Sequence, residues 1–365
     1  MRNAALMLLA TMVVFLLLEG LASSGFFIHG LVTQSRPPLA ERNHTEYDSE
    51  IGWVNKPGVA LKNLYGPGLD LHTNSQGFRG SYDFTREVPA GKLRIVCTGD
   101  SFALGYGVAD NDTWCSQLSA IDPRFETVNM GQGGYGVDQA YLWYMRDSGQ
   151  IVHDVHLFSF IYGDFVRIMD DSFLGYGKPK MVIENGELTV RNVPVPRKGY
   201  LMPWFTENSD LLDELHIIAA LRGLLRKFSG SRAATSSLGE VMEVALMLFD
   251  RLAAHHLERG SEFILVYLPV EEDYAGHYED LRQYLARWTR SRGIRFIDPT
   301  NEFRTLPASQ ATRLFIAEGP NKFPDAAGHY NALGNRWVAT IIEQRLKEMP
   351  EVSSRIGAQA GGRAE

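Results

Sequence analysis

Apolar positions along this chain group into runs of different lengths and periods. Residues 4–18 are apolar almost without a break; Glu19 interrupts them, and a second apolar patch follows over 25–32 with His29 inside it. The whole segment is long enough to span a bilayer if Glu19 lies near one interface, which predicts an N-terminal membrane anchor over 1–32. A cleaved signal peptide is the rival, with Arg2 as its charged start and Ala22-Ser23-Ser24 as the cleavage site. The return of apolar residues after that cut favours the anchor. Further on the runs shorten and become β-branched or aromatic, at 93–97, 127–130, 155–161, 263–268 and 294–297, each bounded by Gly, Asp or Pro. These read as buried strands. Between them lie stretches of helical character at 113–119, 137–145, 210–228, 238–257, 278–290 and 333–346. In the second of these, Val137, Ala140, Tyr141, Tyr144 and Met145 form one apolar stripe.

Strands alternating with helices in this way predict an α/β fold, a parallel five-stranded sheet covered on both faces. Residues 33–90 read as a polar linker with Pro37-Pro38, followed by a small β extension punctuated by Gly and Pro, including Gly52-Trp53 and the stretch Asn74-Ser75-Gln76-Gly77-Phe78-Arg79-Gly80. No chemistry is evident in that extension. The main domain is expected over 91–349. It carries an insertion at about 165–260 that separates the third strand from the fourth and includes a hairpin turning at Asn185-Gly186. An insertion at the carboxyl end of a strand lies over the crevice of such a sheet, so a substrate-facing role is weighed against a decorative one. The Gly/Ala-rich tail, 350–365, reads as disordered.

Composition narrows the partners. The chain has 365 residues, 45% hydrophobic and 22% charged, with a net charge of −7. With no basic run beyond 222–227, it does not suit nucleic acid. Two cysteines, Cys97 and Cys115, exclude a disulfide framework. An isolated bridge is open if the domain is exported, although Cys97 on a buried strand reads more readily as an apolar filler. No Cys/His cluster or H-E-x-x-H suggests a metal, and no cofactor is expected.

The first strand ends abruptly at Gly99-Asp100-Ser101, which places Ser101 at the carboxyl edge of the sheet, where open α/β folds keep their ligand crevices. The second strand ends in Gly131-Gln132-Gly133-Gly134-Tyr135-Gly136, formally G-x-G-x-x-G. A dinucleotide site would want that motif after the first strand, with an acid after the next strand, and Asp154 precedes its strand. The other reading is that these glycines let backbone N–H groups approach a developing oxyanion. The third strand ends in Ile161-Tyr162-Gly163-Asp164-Phe165, again with a polar residue at the crevice edge. Before the last helix comes Asp325, and then His329. A serine hydroxyl needs a base, and the base is best oriented by a carboxylate; Asp325 and His329 could supply both to Ser101.

Taken in order, Gly99-Asp100-Ser101, the turn 131–136, Tyr162-Gly163-Asp164 and Asp325 with His329 resemble the motif blocks of the SGNH, or GDSL-like, hydrolases over about 92–346. The segments before them resemble those of membrane-anchored bacterial members. That resemblance implies a flavodoxin-like three-layer fold, with Ser101 as nucleophile, His329 as general base and Asp325 as its partner. It also implies an oxyanion hole from the Ser101 and Gly134 backbone N–H groups and an Asn side chain, at whose position this chain has Gly163. Asp100 and Asp164 are expected at the crevice. Two departures stand out: loss of the Asn donor, and an Asp-to-His spacing of four where the family has three, with Asp298 as the reserve carboxylate. The expected activity is serine esterase chemistry on ester groups, first of all O-acetyl groups, of a cell-surface glycan or lipid. An O-acetyltransferase and a catalytically silent carbohydrate-binding relative are the alternatives. The domain is expected outside the cytoplasm, held at a bacterial inner membrane and facing the periplasm.

Overall fold

The structure is a computed structural model that describes residues 2–32, 44–173, 176–196, 238–317 and 326–361. Helix α1 (Arg2–Val32) runs without interruption through Ala22-Ser23-Ser24. Within it Leu6–Gly25 has a mean hydropathy of 2.2 and is almost wholly unburied, and is long and apolar enough to cross a membrane by length and composition. Strand β1 (Thr45–Asp48) pairs antiparallel with β2 (Gly52–Asn55), and β3 (Ala60–Gly66) with β4 (Leu69–His72), forming the anticipated β extension.

Strand β5 (Leu93–Gly99) is buried at every position. It runs straight into the short helix α2 (Ser101–Leu104), then α3 (Trp114–Ile121), β6 (Phe125–Gly131), α4 (Val137–Asp147), β7 (Val155–Phe160) and α5 (Tyr162–Val166). The insertion follows as two hairpins and a long helix: β8 (Ser172–Phe173) with β9 (Tyr176–Gly177), β10 (Lys180–Glu184) with β11 (Glu187–Arg191), and α6 (Leu238–Arg259). Asn185 and Gly186 both take positive φ, 53° and 81°, as the two-residue turn between β10 and β11 requires. The predicted helix 210–228 lies outside the described residues. The chain then completes the sheet with β12 (Glu262–Tyr267), α7 (Glu271–Tyr274), α8 (Glu279–Arg292) and β13 (Arg295–Ile297), and ends in α9 (Thr300–Thr305), α10 (Ala308–Thr312), α11 (Ala332–Glu348) and α12 (Pro350–Gly361).

The five central strands lie in the order β13-β12-β7-β5-β6, all parallel. Numbered by appearance, that is 2-1-3-4-5, a flavodoxin-like doubly wound sheet whose order reverses between β5 and β7. Alternate side chains feed two cores. Val96, Val128, Phe158 and Phe160 pack on one face with α4, α6 and α8. Ile95, Cys97, Leu157, Ile264 and Val266 pack on the other with α3, α9 and α11.

Two expectations are corrected. Cys97 is not a reduced filler: β5 and α3 bring its Cα to 6.2 Å from that of Cys115, within disulfide reach, and the two are bonded. The tail is not disordered throughout: α12 occupies Pro350–Gly361, because Val352 and Ile356, one helical turn apart, are buried in the second core.

Candidate active site

The reversal of strand order leaves a crevice at the carboxyl ends of β5 and β7, and the residues after both strands converge there. After β5, the Asp100 carboxylate caps α2 by accepting from the Phe102 N–H at 2.8 Å. This starts a helix at Ser101, whose own N–H has no acceptor within the helix. The Ser101 hydroxyl lies 2.7 Å from His329 Nε2 and 3.4 Å from Asp100 Oδ2. Having one proton, it is best placed to give it to the ring.

His329 comes from the loop before α11. Its N–H donates to the Ala326 carbonyl and its own carbonyl accepts from Ile316, so the backbone is fixed on both sides. Asn331 caps α11, accepting from the Gly334 N–H at 3.0 Å. The ring lies 4.6 Å from that of Phe102 and 5.5 Å from that of Tyr106. Burial holds its pKa below the ordinary histidine value, partly countered by the negative charge of Asp100 and by the Ala326 and Ala327 carbonyls. A neutral imidazole near pH 7 can accept a proton. Its Nδ1 is buried and makes no hydrogen bond among the described residues. Asp325 lies outside the described residues. The reserve carboxylate Asp298 is engaged elsewhere, accepting from Arg282 at 2.9 Å and from the Thr300 N–H at 3.0 Å.

Ser101 and His329 line a cavity of about 330 Å³ together with Tyr162, Gly163, Arg167 and Glu272. Gly163 therefore shares a cavity wall with Ser101. A Cβ built on the glycine would come no nearer than ordinary contact, 3.6 Å from Ile161 Cδ1, 3.8 Å from Arg167 Nη2 and 3.9 Å from Ile161 Cγ1, so space does not demand glycine. Gly134, with φ of 77°, is buried and off the described cavity wall, because its loop is drawn toward the β extension. Asp100 and Asp164 also differ from expectation: both are buried beneath the crevice rather than facing it. Asp164 accepts from the Ile161 N–H at 3.0 Å and from Arg167 Nη1 at 2.5 Å. Its pKa is pushed well up, first by burial and then by the charge of Asp100.

The glycine turn is not a phosphate cradle. A Cβ on Gly131 would strike the Leu104 backbone N at 2.1 Å, and one on Gly133 the Tyr106 hydroxyl at 2.0 Å, so the space is filled by the α2 segment. Among the described residues no group of three or more His, Cys, Asp or Glu side chains is gathered as metal ligands would be.

Several supporting residues had no signal in the sequence. The buried Arg79 guanidinium donates to the carbonyls of Leu104, Gly105 and Val108 at 2.5 to 2.6 Å and to Asp110 at 3.1 Å, fixing the chain just after Ser101. The Trp53 indole donates to the Gly133 carbonyl, and the Tyr135 hydroxyl to the Trp53 carbonyl. The β extension thus buttresses the second glycine turn. Arg167 lies on the cavity wall with Nη1 donating to the Tyr135 carbonyl at 2.9 Å. Each of these contacts ends mainly on a backbone carbonyl, which leaves no pairing pattern in the side chains.

No family model matches the chain, and no curated protein does. Solved structures similar to it include a member of the lipolytic protein G-D-S-L family from Veillonella parvula, 14% identical over 70% of this chain and 100% of that one, with a TM-score of 0.38. A lipase/acylhydrolase from Enterococcus faecalis is 11% identical over 70% of this chain and 96% of that one, with a TM-score of 0.37. The chain is similar, too, to an acetyl xylan esterase, at 11% identity over 69% of this chain and 99% of that one, with a TM-score of 0.39.

Proposed function

We propose that this chain is a serine ester hydrolase of the SGNH type, anchored in a membrane and acting on small acyl esters, first of all O-acetyl groups, of a cell-surface glycan or lipid. The observation that carries this reading is the 2.7 Å contact between Ser101 Oγ and His329 Nε2, at the point of the sheet where ligands bind. In the reaction, His329 Nε2 takes the Ser101 proton as Oγ bonds to the ester carbon, and the carbonyl π pair moves onto oxygen. Backbone N–H groups receive the resulting charge, the Ser101 N–H at the start of α2 among them. Collapse expels the alcohol, which takes its proton from His329. Water then attacks the acyl-serine by the same route, releasing the acid.

The ring contacts around His329 and its depressed pKa support a neutral base at physiological pH. A silent binding relative has no evident use for a serine and histidine held at hydrogen-bond distance. The Tyr162 and Tyr278 rings, stacked on each other with centroids 4.0 Å apart, both line the cavity and give it an aromatic rim. The disulfide and the apolar α1 support a domain in an oxidising compartment outside the cytoplasm. The test is labelling of the full chain by a fluorophosphonate probe. Attachment at Ser101, absent in Ser101→Ala together with hydrolysis of a short-chain aryl ester, is expected; ester hydrolysis that survives Ser101→Ala removes the proposal.

A further inference from the structure

A tetrahedral oxyanion needs donors aimed at the place where charge develops, and the cavity wall offers one donor that no motif announced. Arg167 follows α5 directly and reaches back beneath the crevice. One arm of its guanidinium is committed: Nη1 donates to Asp164 Oδ1 at 2.5 Å and to the Tyr135 carbonyl at 2.9 Å, and stands 3.5 Å from Asp100 Oδ2. The plane is further held by the Phe173 ring, 4.8 Å from the guanidinium carbon. The other arm is uncommitted, since Nη2 makes no hydrogen bond among the described residues. It lies 3.8 Å from where a Gly163 side chain would begin, and Arg167 borders the same cavity as Ser101 and His329. Arg167 is the one Lys or Arg on that described wall, and its side chain is 18% exposed, so its field is poorly screened.

We infer that Arg167 is a catalytic residue whose Nη2 N–H donates to the oxyanion formed on the substrate carbonyl when Ser101 attacks, in the space that Gly163 leaves without a side chain. The inference rests on the proposed serine mechanism. No proton leaves the guanidinium. The carbonyl π pair becomes the alkoxide lone pair that Nη2 binds, and it returns to carbon as the ester C–O bond breaks. Glycine at 163 then gains a purpose, since a larger side chain there would stand beside Nη2. A guanidinium clamped along one edge is pre-organised, so its free edge gains more from charge appearing in the transition state than from the neutral ground-state carbonyl.

The test compares the full chain with Arg167→Ala and Arg167→Lys on an uncharged acetyl aryl ester. Affinity is measured in parallel for an uncharged trifluoromethyl ketone, which forms the tetrahedral adduct, and for the matching methyl carbinol, which cannot. Loss of one oxyanion donor predicts a fall in kcat of about 10² to 10³ with little change in KM. Ketone affinity should fall by a similar factor while carbinol affinity stays put. A purely architectural role would move ketone and carbinol together, and that result overturns the inference, as does unchanged kcat. If Arg167→Ala does not fold, Arg167→Lys decides: it keeps the charge beside Asp164 and loses the second arm, so wild-type kcat in that variant also overturns it. Ser101→Ala separates the two levels. Hydrolysis surviving there defeats the serine mechanism itself, whereas inactive Ser101→Ala beside fully active Arg167 variants defeats only the role of Arg167.

Discussion

The indole N–H of Trp53 donates to the Gly133 carbonyl at 2.8 Å, and both groups are fully enclosed. A residue of the N-terminal extension thereby sets the turn that follows β6, one strand over from the strand that leads into Ser101. In Trp53→Phe the ring is largely replaced but the carbonyl is left without its donor. Stability should drop by about 1–3 kcal/mol, the cost of a buried unpaired acceptor. If the turn helps align the crevice, kcat toward a short-chain ester should fall by up to about 10² while the protein still folds. Denaturant melts and steady-state kinetics on the same preparation check both.

On the proposed mechanism His329 must be neutral to accept the Ser101 proton, so kcat/KM should rise with pH as the ring loses its own proton and then level off. Burial lowers that titration, so the midpoint should lie on the acid side of the ordinary histidine value of 6.5. A pH profile of the full chain with an ester whose hydrolysis is followed optically gives this midpoint; a value above 7 would contradict the buried geometry.

Away from the crevice, β7 and the neighbouring helices enclose a file of histidines. Thr98 Oγ1 lies 2.8 Å from His156 Nε2, His156 Nδ1 2.9 Å from His256 Nε2, and His256 Nδ1 2.7 Å from Ser261 Oγ, while Tyr144 meets His153 at 2.9 Å. Burial depresses all three rings, His153 to about 4. Groups that gain a proton on unfolding cost the native state stability in acid, so the full contribution is present above pH 6.5 and declines as pH falls toward 4. From His153 alone the loss by pH 4 approaches about 3 kcal/mol. Urea titrations at pH 8, 6 and 4.5 should show a falling midpoint, and an unchanged one would mean that the file is hydrated.

Reducing the Cys97–Cys115 bridge frees a loop of 18 residues, for which the chain-entropy estimate is about 3 kcal/mol. The melting temperature should fall by several degrees in reductant, and Cys97→Ala/Cys115→Ala should reproduce the shift without responding to reductant.

Gly163 is a residue of α5 with room for a methyl group. Gly163→Ala should therefore fold normally and gain up to about 1 kcal/mol from the lower entropy of its unfolded chain. Esterase activity should nonetheless fall, because the added methyl would stand 3.8 Å from Arg167 Nη2 in the space assigned to the oxyanion, and circular dichroism melts with ester assays measure both.

Much of the scaffold can be read from residue order because its physics is local. Strands β5 and β7 are buried on both faces and announce themselves as mainly apolar runs despite Arg94, Thr98, His156 and Ser159, and Asn185-Gly186 specifies its turn almost alone. Ser101 and His329 are legible as polar residues placed where a strand stops or a helix starts. The failures share a different cause. Asp164 is polar at a strand end, yet a cation three residues later draws it under the floor. Arg79 and Arg167 look like surface cations until their carbonyl partners are known. Val352 and Ile356 are too few among small residues to signal a helix, and only the core they meet makes one.

Ser101 and His329 are 228 positions apart in the chain. A nascent or clipped polypeptide that ends anywhere between them holds an ordinary alcohol with nothing to ionise it. On the proposed mechanism, reactivity would thus switch on only at the final stage of folding.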